Sequence, residues 1–121
     1  MNFEFDNDRP IYKQLIDQIK FGIITGIYVL GEKLPSVRDL SFKIKVNPNT
    51  IQRALSELES NNLIITKRTS GKFVTNNATV INKLKKELSK KYVDKFTEKM
   101  DSLMISTEEI TSLIKEKRKE K

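Results

Sequence analysis

The chain has 121 residues, with 23 lysines and arginines against 16 aspartates and glutamates, a formal net charge of +7, and neither histidine nor cysteine. The length suits one modest core plus an appendage. The missing imidazole and thiol remove the commonest general base, the thiol nucleophile and the usual zinc, haem and iron–sulfur ligands. There is no DxDxDG loop, glycine-rich phosphate loop or GxSxG elbow. No catalytic residue, metal or cofactor is therefore expected, and the positive charge points to a polyanionic partner.

The acidic opening MNFEFDNDRP carries neither a signal-peptide pattern nor an apolar run of membrane length, so a soluble, cytoplasmic protein with no membrane partner is expected. A first helix is predicted from Pro10, as its N1 residue, to about Thr25, with Gly26 as the stop. Its stripe of Ile11, Leu15, Ile16, Ile19, Ile23 and Ile24 should face the core, with Tyr12 and Phe21 core by default. Residues Leu30 to Pro35 then read as a turn or short edge strand. Ser36 precedes Val37, Leu40 and Ile44 and has Asp39 three residues on, which signals a capped second helix.

Asn47 directly before Pro48 starts a third helix, an N-cap followed by the residue best suited to N1. Ile51, Ala54, Leu55 and Leu58 form one buried face and leave Asn49, Thr50, Gln52, Arg53 and Ser56 outward. These outward residues have base-reading chemistry: asparagine and glutamine match adenine, arginine matches guanine N7 and O6, and threonine matches a thymine methyl or a phosphate. They lie at the helix N-terminus, where recognition helices meet DNA, while Glu57 and Glu59 are held toward the far end. Asn61-Asn62 tolerates a left-handed helix end. Leu63-Ile64-Ile65 and Phe73-Val74-Thr75 then read as strands around a basic tip carrying Lys67, Arg68 and Lys72, suited to phosphates or a minor groove. Residues 33 to 72 hold eight basic and three acidic side chains, whereas residues 1 to 32 hold three basic and five acidic, so the positive field sits on this motif.

Helix, turn, helix and hairpin in this order make a winged helix-turn-helix. Pro35, Arg38, Leu40, Val46, Asn49-Thr50, Ala54-Leu55, Leu58-Glu59, Leu63 and Gly71-Lys72-Phe73-Val74 closely resemble the DNA-binding pattern of the GntR family of bacterial transcription regulators. Pro10-Ile11-Tyr12-Lys13-Gln14-Leu15 and Val46 to Arg53 resemble more particularly its YtrA subfamily, which has a short helical tail in place of a large effector domain. The resemblance implies DNA contacts from Arg38, Asn47, Asn49, Thr50 and Arg53, from Gly71 in the wing, and from Gln52 at a position that often faces DNA. Three residues depart from the pattern: Lys45 and Thr69 stand where the family has glycine, implying a stiffer turn and wing, and Phe42 occupies a normally polar outward position.

Beyond Asn77 the pattern becomes a long lysine-rich helix with Ile81, Leu84, Leu88, Tyr92, Phe96, Met100 and Leu103 at steps of three and four. Ser106 with Glu109 signals a last helix bearing Ile110, Leu113 and Ile114, which should fray in the charged run to Lys121. The expected fold is mainly α with a small β-hairpin wing, a winged helix-turn-helix DNA-binding domain at residues 1–76 and a two-helix dimerisation tail at 77–121. Ile81, Leu84, Leu88, Tyr92, Phe96 and Met100 are the candidate dimer contacts, and Phe42 is expected to pack against the tail.

The expected function is a DNA-binding transcription regulator, a repressor, that reads a palindromic double-stranded DNA operator as a homodimer. The alternatives are a winged-helix module for protein or RNA, or a nonspecific DNA binder. The tail leaves room for a small-molecule effector at its junction with the domain, but the residues name none.

Overall fold

Residues 2–120 are described in the computed structural model. The first helix, α1 (Ile11–Ile24), buries Leu15, Ile16, Ile19 and Ile23. Pro10 takes the N-cap position rather than N1, because its ψ of 139° is extended and the helix starts one residue later. Gly26, at φ 80°, closes the C-terminal turn in a conformation that costs glycine no steric penalty. The segment ahead of α1 is bound by two glutamines one helical turn apart. Gln14, only 4% exposed, accepts from Asp6 N and donates to the carbonyls of Asp6 and Arg9. Gln18 accepts from Glu4 N and donates to the Glu4 carbonyl, so the two amides serve the segment as a strand edge would.

Helix α2 (Val37–Ile44) is capped by Ser36, whose Oγ accepts from Asp39 N at 3.0 Å. Helix α3 (Pro48–Ser60) is capped by Asn47, whose Oδ1 accepts from Asn49 N at 2.8 Å, with Pro48 at N1. Both caps follow the sequence pattern, as does the end of α3, where Asn62 adopts φ 64°. Between α2 and α3, Lys45 is held left-handed at φ 57° and ψ 45°. Lys45→Gly is expected to stabilise the fold by about 0.5–1 kcal/mol, because relief of the side-chain clash outweighs glycine's extra unfolded-state entropy. A denaturant midpoint unchanged or lowered by the substitution would contradict this.

Strands β1 (Ile64–Lys67) and β2 (Gly71–Val74) pair antiparallel from Ile64↔Val74 to Lys67↔Gly71. The connecting turn is only Arg68-Thr69-Ser70. Lys67 and Lys72 therefore lie on the strands and not on the expected tip, since pairing to the end of the hairpin satisfies their backbone groups. The positive φ of 107° falls on Gly71 and not on Thr69, which explains how threonine is accommodated in the wing. The edge segment expected between α1 and α2 joins this hairpin: Lys33 bridges Phe73, Leu34 N donates to Lys72 O at 2.8 Å, and Val74 N donates to Glu32 O at 2.8 Å.

The chain divides into two units, Met1–Leu84 and Lys85–Lys121. In the first, α1 and α2 pack on α3, and Leu15, Ile19, Leu40, Ile51, Leu55, Leu58, Leu63, Ile64 and Val74 are fully buried. The long helix α4 (Ala78–Ser102) begins in this unit, with Thr79 N donating to Asn77 Oδ1, and lays Val80, Ile81 and Leu84 against the core. The second unit contains the rest of α4, a turn with Met104 at φ 60°, and α5 (Thr107–Lys119), whose Ser106 cap accepts from Glu109 N at 3.2 Å. Helix α5 extends to Lys119, through the charged run: lysine, arginine and glutamate are good helix formers, and Lys117, Arg118 and Lys119 complement the dipole at its end. The architecture is thus mainly helical, a winged helix-turn-helix with a two-helix C-terminal tail. Among the described residues no helix is long and apolar enough to cross a membrane.

Candidate nucleic-acid interface

The buried face of α3 fixes what its other face presents. Ile51, Ala54, Leu55 and Leu58 are all 0% exposed, so the helix is anchored along its length, while Asn47, Asn49, Gln52 and Arg53 are exposed and Thr50 is half-buried. Several of these polar groups are already oriented. The Oδ1 of Asn47 is committed to the cap, leaving its amide N–H groups as free donors. Gln52 Nε2 donates to Ser56 Oγ at 3.1 Å, so its amide nitrogen is already engaged within the helix. Arg53 stacks its guanidinium on the ring of Tyr12, 3.7 Å from the centroid. Arg38 is exposed in the first turn of α2. Phe42 is 86% exposed on the same helix, and none of the described residues of the first unit covers it.

The wing presents its cations unequally. Arg68 is exposed in the turn, Gly71 is exposed beside it, and Lys67 is exposed with its ammonium over the Phe73 ring at 4.6 Å. Lys72 is different, with a side chain only 19% exposed. Its ammonium donates to Glu59 Oε2 at 3.2 Å and to Thr66 Oγ1 at 3.0 Å, which ties β2 to the end of α3. A cation so engaged braces the wing against the end of α3.

The Thr66 hydroxyl, and after it the Lys72 ammonium, hold the Glu59 carboxyl below the ordinary glutamate range. A depressed folded-state pKa stabilises the fold above the unfolded value, and that contribution is lost as pH falls through the folded value. Acidification below about pH 4.5 should therefore weaken the brace, modestly, because Glu59 is 39% exposed and screened by water. The check is the denaturant midpoint against pH, which should fall less in Glu59→Gln than in the native chain. Parallel curves would remove the brace from the pH response.

The apolar stripe of the tail is split between two environments. Ile81 and Leu84 are half-buried against the core of the first unit. Further along, Leu88 and Met100 are half-buried, whereas Tyr92 is 64% and Phe96 38% exposed. Neither α4 nor α5 buries a single residue completely. Sequence reasoning missed exposed Val93 beside this stripe and the contact of Tyr12 with Arg53. The signal for Tyr12 was slight, an aromatic ring at the polar margin of an amphipathic helix.

The profile of the gntR family of bacterial regulatory proteins matches residues 11–74. The HTH-type transcriptional regulator YhcF of Bacillus subtilis is 37% identical over 115 residues, 95% of each chain. The HTH-type transcriptional repressor YtrA of Bacillus subtilis is 46% identical over 69 residues, 57% of this chain and 53% of that protein. Among solved structures, a GntR family transcriptional regulator from Listeria monocytogenes superposes with a TM-score of 0.87 at 42% identity, covering 93% of this chain and 98% of that one. The DNA-binding domain of AraR, solved in complex with its operator ORX1, aligns with a TM-score of 0.56 at 25% identity over 62% of this chain and 96% of that one.

Proposed function

The chain belongs to the gntR family of bacterial regulatory proteins, and from that premise we propose that it represses transcription by binding an inverted-repeat operator as a homodimer. The observation that carries this reading is the outward face of α3: Asn47, Asn49, Thr50, Gln52 and Arg53 cluster at the N-terminal end of a helix anchored by a wholly buried opposite face. A rigid helix presenting amide and guanidinium donors has the dimensions and chemistry of a major-groove reader. Arg38 would add a backbone contact from α2, and Lys67, Arg68 and Gly71 would approach phosphates or a minor groove from the wing. Lys72 would serve the same surface through its brace to Glu59 and Thr66.

The homodimer is supported by the apolar residues that the tail leaves open, Tyr92 and Phe96 foremost, whose exposure a second copy would relieve. Repression is supported by similarity to YtrA, itself described as a repressor. A regulator of bacterial genes acts in the cytoplasm, and that location is part of the proposal.

The test is selection of bound duplexes from a random pool at a fixed, near-physiological salt concentration, because affinity without ionic strength has no meaning here. An inverted repeat with half-sites about one helical turn apart is expected. Arg53→Ala should then lose about 1–3 kcal/mol on the selected site and relax one base position, whereas Lys67→Ala should weaken all duplexes alike. Equal, sequence-blind losses from both would reduce the protein to a nonspecific binder.

A further inference from the structure

Tyr12 lies outside the recognition helix, yet its ring sits under the guanidinium of Arg53, with Cζ 3.7 Å from the ring centroid. It is half-buried in the first turn of α1, and α1 packs along α3. Resting on the proposed base-reading role of Arg53, we infer that Tyr12 is a specificity-determining positioning residue whose ring holds that guanidinium in its reading orientation.

The chemistry of the stack fits the task. A guanidinium on an aromatic ring is engaged through its face, while its N–H donors lie in its plane and point outward from its edges. Among the described residues Arg53 forms no ion pair, so the edge that matches guanine N7 and O6 is unspent. A carboxylate at the position of Tyr12 would hold the charge but consume those donors. The ring also restricts a long side chain before DNA arrives, which lowers the entropy lost on binding. The tyrosine hydroxyl makes no hydrogen bond among the described residues, so the ring alone accounts for the contact and phenylalanine should replace it.

The experiment is selection from a random duplex pool, run at one salt concentration with the full chain as native protein, Tyr12→Leu, Tyr12→Phe, Arg53→Ala and the Tyr12→Leu/Arg53→Ala double variant. Tyr12→Leu should lower the preference at the base position that Arg53→Ala relaxes by about two- to fivefold, leaving other positions and nonspecific affinity unchanged. Tyr12→Phe should keep the preference, and Tyr12→Leu should add nothing once Arg53 is gone. A loss shared by Tyr12→Phe and spread over all sequences would overturn the inference and identify a hydroxyl contact to phosphate. An additive loss in the double variant would overturn it equally.

Failures at the two levels are distinguishable. If Arg53→Ala relaxes no base position, the base-reading role fails and the inference falls with it. If Arg53→Ala relaxes one and Tyr12→Leu leaves it intact, the inference alone is overturned. Should Tyr12→Leu not fold, nuclear magnetic resonance of the native chain and Tyr12→Phe decides the matter. The Arg53 Nε–H resonance should be shifted upfield by the ring in both, and its absence in the native chain would overturn the stack itself.

Discussion

Phe96→Asp is expected to break the proposed homodimer into monomers and to lower affinity for the proposed two-half-site operator by about a hundredfold or more. Phe96 lies one helical turn beyond Tyr92 on α4, and both are exposed in the single chain. If they meet a second copy, a carboxylate there must be desolvated without a partner, which costs several kcal/mol. Aromatic side chains also tend to dominate the energy of such contacts. Without the dimer each half-site must be bound separately, and the effective concentration that makes the second event intramolecular is lost. Sedimentation velocity gives the oligomeric state, and titration of duplexes carrying one or two half-sites gives the affinity. The reading fails if the variant remains dimeric, or if a monomeric variant binds the full site as tightly as the native chain. Helicity should be unchanged, because the side chain is on the outside of a formed helix.

Leu55→Ala is expected to destabilise the first unit by about 2–5 kcal/mol, the range for a buried leucine whose surroundings relax only in part. Leu55 is 0% exposed in the middle of α3, within the cluster formed with α1 and α2. Domains of this size have roughly 5–15 kcal/mol of total stability, so the loss is a large fraction of what holds α3 in place. Denaturant unfolding measures it directly. A loss below about 1 kcal/mol would mean that the core closes over the cavity, and that α3 is less firmly seated than its burial indicates. DNA affinity should fall in parallel with the folded fraction and recover on cooling toward the temperature of maximum stability. Arg53→Ala, at the proposed base-reading position, should behave differently, losing affinity while the chain stays folded.

Most elements of the fold were legible because their signals are local. Ser36, Asn47 and Ser106 each bond a backbone N–H two or three residues on. The spacing of Ile51, Ala54, Leu55 and Leu58 defines one side of a helix wherever that helix is placed. The sequence-based boundaries erred where tertiary pairing extends an element. Lys72 donating to Glu59, thirteen residues away, depends on the hairpin folding back beside α3, and pairing up to Lys67↔Gly71 shortened the turn that composition had suggested.

The candidate site divides in the same way. Helical periodicity alone put Asn49, Thr50, Gln52 and Arg53 on one outward face, and the positive charge of residues 33 to 72 is a property of the sequence itself. The orientation of those groups was beyond the sequence. Arg53 meets Tyr12, Gln14 and Gln18 bind the segment ahead of α1, and Lys72 is diverted to Glu59 and Thr66. A cap or an amphipathic stripe involves residues within a turn or two, so its geometry is fixed by the backbone of one element. A stack or ion pair between elements depends on how they pack, and that is set by the shape of the whole core.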